Sequence, residues 1–447
     1  FTTQVTIELV LLADQPVQST LHVVLIFAGL VMALSPAIKG EQAEGGGGIS
    51  VSCRSPGFCD IPASILFLLG HDVGKCLVHC CLGLGCAAKL GHVYLALESK
   101  GRERFLQTLN DEYGPDKTTV ENAIKNYQSA DDAIERQTSE QEMRRALESP
   151  RLRLLRQFND LPDGVKFLVD MRAELLNLVN HNPSLSPLEQ DMRHLLKRWF
   201  DIGFLELKRI TWDTASAALL EKLIAYEAVH TIESWDDLKN RLDSDRRCFA
   251  YFHPKMPDEP LIFVEVALVN GLADSVQALL DKHAPVQDPK SADTAIFYSI
   301  SNAQKGLAGI SFGNFLIKRV VDSLSKDLPN LRNFATLSPI PGFNSWLEQY
   351  LADGDFDLLT NEDEKAIVKI STEDKPREAL KDLISRRNWY IDETVLSVVE
   401  QPLSRLCVHY LLNEKRREGT AADSVAHFHL NNGARIEQLN WMADTSN

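Results

Sequence analysis

Between Thr294 and Val321 the chain reads TAIFYSISNAQKGLAGISFGNFLIKRVV, and no other stretch restricts the fold so tightly. Its opening is β-branched and aromatic, the pattern of a buried strand. Gly306, Gly309 and Gly313 follow in a loop, and apolar residues at helical spacing then predict a helix over Gly313 to Leu324. Glycines let backbone N–H groups approach an anion closely, and the next helix N-terminus adds its partial positive charge. A strand, a glycine loop and a helix in that order therefore suit a pyrophosphate, with Lys305, Lys318 and Arg319 as nearby cations. The plainer alternative is a strand-to-helix connection that uses glycine only for its turns.

The same loop contains Gly309-Ile310-Ser311-Phe312-Gly313, which matches the G-x-S-x-G elbow of serine hydrolases. An elbow needs its serine at the sharp turn directly after the strand. Here the β pattern ends near Ser301, about nine residues before Ser311. A hydrolase or thioesterase built on Ser311 is thus the weaker reading.

Mixed structure surrounds this unit. Cys248–Phe252, Leu261–Val269 and Phe334–Leu337 also read as strands. Ala273–Leu280, Asn344–Leu351 and Glu378–Ile384 read as helices between them. Residues 226–447 are therefore expected to form one α/β or α+β domain. Residues 94–225 differ. Val120, Ala123, Ile124 and Tyr127 make an i, i+3, i+4, i+7 stripe, and Met192, Leu195, Leu196, Trp199 and Phe200 make another. Arg144, Arg145, Arg151, Arg153 and Arg156 are interleaved with glutamates, as on a solvated helix face. This stretch predicts an all-helical domain of the kind that assembles with copies of itself.

Residues 1–93 hold only ten Asp, Glu, Lys and Arg side chains but six of the eight cysteines. Leu21 to Ile38 is almost uninterruptedly apolar and close to bilayer-spanning length, so membrane contact is expected only if that segment is genuine and inserts. The spacing of Cys76, Cys80, Cys81 and Cys86 fits no zinc pattern, and no metal is expected. We read this segment as an atypical extension. Over all 447 residues, 62 acidic against 47 basic side chains give a net charge of −15. That balance argues against a nucleic-acid surface, where clustered positive charge would be expected.

Single residues that could carry chemistry are fewer. Ser299 and Ser301 alternate with apolar neighbours and read as edge-facing hydroxyls. Ser338 precedes Pro339-Ile340-Pro341-Gly342, where stiff backbone would hold its hydroxyl in one direction; alone, it reads as a turn cap. His427 and His429 stand at i, i+2, a poor chelate pair, and the residues around them do not choose between the two. Glu227 and His230 read as a helix-surface pair.

The stretches YEAVHTIESWDDLK, TAIFYSISNAQKGLAGISFGNFLIKRVV, NFATLSPIPGFNSWL, LSRLCVHYLL and DSVAHFHLNNGARIEQLNWMADTS, taken together, resemble malonyl-CoA decarboxylases, the bacterial type above all. The resemblance runs from about Tyr94 to Asn447. It implies an α+β chain: a helical bundle for oligomerisation, into a tetramer, followed by a catalytic domain of the GNAT acyltransferase fold. It implies that Ala308, Gly309, Ile310, Ser311, Phe312, Gly313 and Asn314 line the malonyl-CoA site together with Ser338 and His429. It assigns catalysis to Ser338 and His429 and reduces Ser311 to a loop residue. Residues 1–93 are unlike the family's helical domain, and family members continue past the position of Asn447, so a shortened bundle and a missing tail are expected.

The implied reaction turns malonyl-CoA into acetyl-CoA and CO2 through an enolate. Backbone N–H groups near Phe297–Ser301 and the loop are the expected oxyanion donors. His429 would deliver the proton, with an ordinary imidazole pKa of about 6.5 in view. No cofactor is needed, because the thioester is itself the electron sink. The alternatives are an acyl-CoA acyltransferase of the same fold and a catalytically silent CoA-binding protein. Cytoplasm is the expected compartment, mitochondrion or peroxisome the alternative; the C-terminus carries no S-K-L and residues 1–93 lack an Arg-rich transit pattern.

Overall fold

The computed structural model describes residues 7–13, 20–25, 84–310, 315–353, 358–387 and 389–445. In chain order the strands are β1 (Ile7–Ala13), β2 (Thr20–Leu25), β3 (Glu206–Ile210), β4 (Arg246–Phe252), β5 (Ile262–Val269), β6 (Thr294–Asn302), β7 (Asn333–Ser338) and β8 (Ala434–Trp441). The helices before β3 are α1 (Leu84–Ala96), α2 (Ser99–Glu112), α3 (Lys117–Ser129), α4 (Ala133–Ala146), α5 (Pro150–Gln157), α6 (Gly164–Val179) and α7 (Ser186–Trp199). Those after it are α8 (Ala217–Tyr226), α9 (Trp235–Arg241), α10 (Val276–Leu280), α11 (Phe315–Asp327), α12 (Phe343–Asp353), α13 (Asn361–Ile370), α14 (Pro376–Ser385), α15 (Glu393–Asn413) and α16 (Ser424–Asn431).

Helices first, then a mixed sheet with helices: the α+β architecture expected from the residue pattern is the one observed. In α7, Pro187 starts the helix, Glu189 lies in its first turn and Lys197 and Arg198 in its last, matching the helix dipole. Its Leu188, Met192, Leu195 and Leu196 face inward at helical spacing. They pack with Leu168, Val169, Met171 and Leu175 of α6, and the same apolar cluster continues into the sheet through Tyr251, Val264 and Phe297. The helical half and the sheet thus share one core.

The sheet order is β3-β4-β5-β6-β7-β2-β1-β8. β4, β5 and β6 are antiparallel neighbours with nearly every side chain buried, which is why they read as apolar runs rather than alternating ones. β6 and β7 run parallel, and parallel neighbours need a crossover: the glycine loop and α11 supply it. The last paired residues are Phe297 and Thr336. Ser338 stands beyond them at the carboxyl end of β7.

Three expectations change. The stretch 94–225 is not all helix, because β3 lies within it and pairs antiparallel with β4 from Glu206↔Phe252 to Ile210↔Cys248. Ile210, Leu220 and Leu223 accordingly pack with Ala250 and Phe263 of the sheet rather than with the bundle. Glu227 and His230 are not a helix-surface pair: α8 ends at Tyr226, and His230 is buried with Nε2 against the Tyr298 carbonyl at 3.1 Å. Ser299 and Ser301 are not edge hydroxyls either; both are 1% exposed. Short five-residue strands such as β3 escape periodicity arguments, and burial of a hydroxyl depends on the neighbour it meets.

β1 and β2 stand in the sheet between β7 and β8, with Leu9 opposite Ser338 and Leu439. The cysteines Cys53, Cys59, Cys76, Cys80 and Cys81 and most of the apolar run 21–38 lie outside the described residues. Among the described residues no helix is long and apolar enough to cross a membrane.

Candidate active site

Ser338 sits where β7 ends, 7% exposed, on the same strand face as Thr336 two residues earlier. Their hydroxyl oxygens are 2.9 Å apart. His429 comes from the last turn of α16 and is 3% exposed, while His427 of the same helix lies partly open and contacts Asn431. Nε2 of His429 is 3.4 Å from Oγ of Ser338, across 91 residues of chain. Burial on one face of α16 thus puts His429, not His427, beside Ser338.

What holds the two together is Asp423. Its Oδ1 accepts from the N–H groups of Val425 and Ala426, capping α16, and its Oδ2 accepts from the Gly342 N–H at 3.0 Å. One carboxylate thus ties the start of the histidine helix to the turn after the serine strand. A Cβ on Gly342 would lie 2.1 Å from the Tyr410 hydroxyl, so any larger residue there would have to displace that side chain. Asp423 escaped the sequence reading, although an Asp directly before an apolar helical run is an N-cap signal.

Electrostatics alter one expectation. Burial without a charged partner pushes the His429 imidazole down to about 3, far below the ordinary value near 6.5. The ring is neutral in the unliganded protein at physiological pH, not poised between two forms. Burial also raises the Asp423 carboxyl, against the pull of its three backbone N–H donors.

The glycine loop begins with a single 3-10 turn, Lys305–Leu307. Ala308 N–H donates to Lys305 O and Ile310 N–H to Leu307 O, so those two amides are already engaged. Gly309 takes φ +72°, a conformation that favours glycine. Ala308 and Gly309 lie against the helical half, their carbonyls accepting from Arg172 and Arg193, and Ile310 is buried beside them; Ser311, Phe312, Gly313 and Asn314 lie outside the described residues. Of the expected cations, Lys305 is exposed at the loop, whereas Arg319 turns away to donate to the Leu205 carbonyl at 3.0 Å.

Ser299 donates to both carboxylate oxygens of Glu227, at 2.8 and 2.9 Å, and the Ser301 hydroxyl oxygen accepts from the Ala228 N–H at 3.2 Å. β6 carries a bulge here: Phe297 faces Val266 and Ser299 faces Glu265, leaving Tyr298 without a partner on β5. No three His, Cys, Asp or Glu side chains among the described residues are grouped as a metal would require.

Residues 203–447 match the model of the malonyl-CoA decarboxylase C-terminal domain, and residues 113–200 that of its N-terminal domain. The chain belongs to the malonyl-CoA decarboxylase family. It is 41% identical over 310 residues to the mitochondrial malonyl-CoA decarboxylase of Anser anser anser, covering 67% of this chain and 61% of the relative. To the Mus musculus mitochondrial enzyme it is 36% identical over 365 residues, covering 78% and 73%. Thus the match takes in about three-fifths of the goose relative's length. Among solved structures, malonyl-CoA decarboxylase from Rhodopseudomonas palustris superposes with a TM-score of 0.75 at 40% identity, covering 84% of this chain and 89% of that one. The Agrobacterium vitis protein gives 0.74 at 38%, covering 84% and 88%. The family models divide the chain between residues 200 and 203, just ahead of β3.

Proposed function

We propose that this chain decarboxylates malonyl-CoA to acetyl-CoA and CO2, with Ser338 and His429 at the reacting end and the loop after β6 at the coenzyme end. The observation that carries the reading is the buried Ser338–His429 contact at the end of the strand parallel to the one that feeds the loop, in a chain of this family. The parallel β6–β7 pair beside antiparallel β4 and β5 supports the acyltransferase-type description of the catalytic fold.

Loss of CO2 from the malonyl thioester leaves an electron pair that delocalises onto the thioester oxygen. The bulge at Tyr298 takes backbone out of the β ladder close to where β6 and β7 part, which suits oxyanion donation. Ser338 can donate a hydrogen bond to the malonyl carboxylate or to the enolate oxygen. The overall reaction consumes one proton, and a neutral His429 has none to spare. A malonyl carboxylate brought into the same dry space raises the imidazole's proton affinity, since an opposite charge favours the protonated form. Binding of the diacid would therefore load the proton that His429 passes to the α-carbon once CO2 has left.

The helical half, by the same family reading, assembles copies of the chain into a tetramer. For compartment, the mitochondrial names of the goose and mouse relatives favour the organellar alternative over the cytoplasmic one. The decisive assay offers malonyl-CoA with no acyl acceptor and follows acetyl-CoA and CO2. Turnover that waits for an added amine would instead make the chain an acyltransferase, and CoA binding without turnover a silent binder.

A further inference from the structure

The helical half meets the coenzyme loop through one buried guanidinium. Arg172 of α6 is 1% exposed. Its Nη1 donates to the Gly306 carbonyl at 2.5 Å and its Nη2 to the Ala308 carbonyl at 3.0 Å. The remaining donors turn to Glu189 of α7, with Nη2 at 2.6 Å and Nε at 3.2 Å from Oε1, so the buried charge is paired. Arg193, exposed on α7, donates to the next carbonyl along, that of Gly309, at 3.0 Å. Three carbonyls within four residues thus point at guanidinium groups of the other half. α6 also packs directly on the loop: a Cβ on Gly306 would lie 1.7 Å from the Val169 carbonyl oxygen.

We infer that Arg172, clasped by Glu189 and seconded by Arg193, is a positioning residue that aims the loop's amides at the coenzyme's phosphates. A trans peptide places its C=O and N–H on opposite sides. Holding the Ala308 carbonyl toward α6 therefore turns the Gly309 N–H away from the helical half. Leu307, Ala308 and Ile310 spend their N–H groups inside the turn, so from Leu307 to Ile310 the Gly309 amide is the one the clamp leaves for a ligand. The helical half is then a part of the coenzyme site, not only an assembly module. Arg172 itself touches no substrate in this account. The planar fork spreads its donors over three nitrogens and so reaches two carbonyls and a carboxylate, whereas the three donors of a lysine ammonium radiate from one nitrogen and do not span the same acceptors.

This inference rests on the reading of the loop as the coenzyme's phosphate cradle, and the test separates the two. Wild type, Arg172→Lys and Arg193→Ala are assayed with malonyl-CoA and with malonyl-pantetheine, which has the same reacting thioester but no phosphates. Wild type should prefer malonyl-CoA strongly in kcat/KM. Arg172→Lys should raise KM for malonyl-CoA about tenfold, with kcat within about twofold and malonyl-pantetheine unaffected. Arg193→Ala, a surface change that also serves if Arg172→Lys fails to fold, should shift the same ratio in the same direction by about threefold. A wild type indifferent to the phosphates would overturn the cradle and with it the clamp. A strong wild-type preference left intact in the variants, or an equal loss on both substrates, would overturn the clamp alone.

Discussion

Ser338 and His429 are brought together by elements of one half of the chain, whereas the loop after β6 is gripped by guanidinium groups from the other. Around Ser338 and His429 a strand terminus and a helix terminus are joined through one capping carboxylate, and both side chains are buried. At the loop after β6 the carbonyls of Gly306, Ala308 and Gly309 face Arg172 and Arg193 across the boundary between bundle and sheet. On the assignment we propose, the two tasks are mechanically separate. Damage to the α16 cap should disturb chemistry, and damage to the α6–loop contact should disturb coenzyme affinity.

The largest effect should come from the reacting end. His429→Asn is expected to cut kcat by about 10²–10⁴-fold with KM for malonyl-CoA little changed. Ser338→Ala should act in the same way, and Ser311→Ala should leave turnover near wild type. Covalent labelling of Ser311 by a fluorophosphonate would reverse that order and return the G-x-S-x-G motif to the chemistry.

At the other end, Gly306→Ala forces a methyl group into the Val169 carbonyl, so α6 or the loop has to move. Denaturant titration should show a loss of about 3 kcal/mol, with KM for malonyl-CoA raised more than kcat is lowered. A stable variant of normal KM would show that the contact tolerates displacement and that the two ends differ less than their geometry says.

The buried neutral imidazole gives a third test. Its proton affinity is lower in the folded chain, about 3, than in the unfolded one, about 6.5, so protonation favours unfolding. The associated stability is complete above about pH 6.5 and falls steadily below it until about pH 3. Between pH 7 and pH 5 wild type should lose about 2 kcal/mol more than His429→Asn. Parallel stability curves for the two proteins would place the imidazole in contact with water.

Smallest is the cap. Asp423→Ala should cost about 1 kcal/mol of stability and lower kcat about tenfold while KM stays put, and Asp423→Asn should recover most of both, because asparagine also caps helices. Equal losses in kcat and coenzyme affinity would join the two ends into one unit.

Much of this could be read in the residues. Apolar runs bounded by turn residues marked β4, β5, β6 and β7, since strands buried on both faces have to be apolar throughout. The helices α13 and α15 went unread: α13 has its start in a Thr360/Asp363 capping box, and α15 carries Pro402 in its interior, where proline ordinarily signals a break. Ser338 and His429 were legible only through the family resemblance. Residue types alone gave a turn cap and an unresolved pair of histidines.

The sequence by itself determined the change from a mainly helical to a mixed half, the glycine loop between a strand and a helix, and the family, because periodicity, turn chemistry and motif identity are local properties of the chain. The tertiary structure decided which histidine is buried against Ser338, that its ring is neutral, and that Asp423 and Arg172 each tie together segments distant in sequence. Burial, dielectric surroundings and hydrogen bonds across 81 to 136 residues depend on what packs alongside, and no local pattern encodes them.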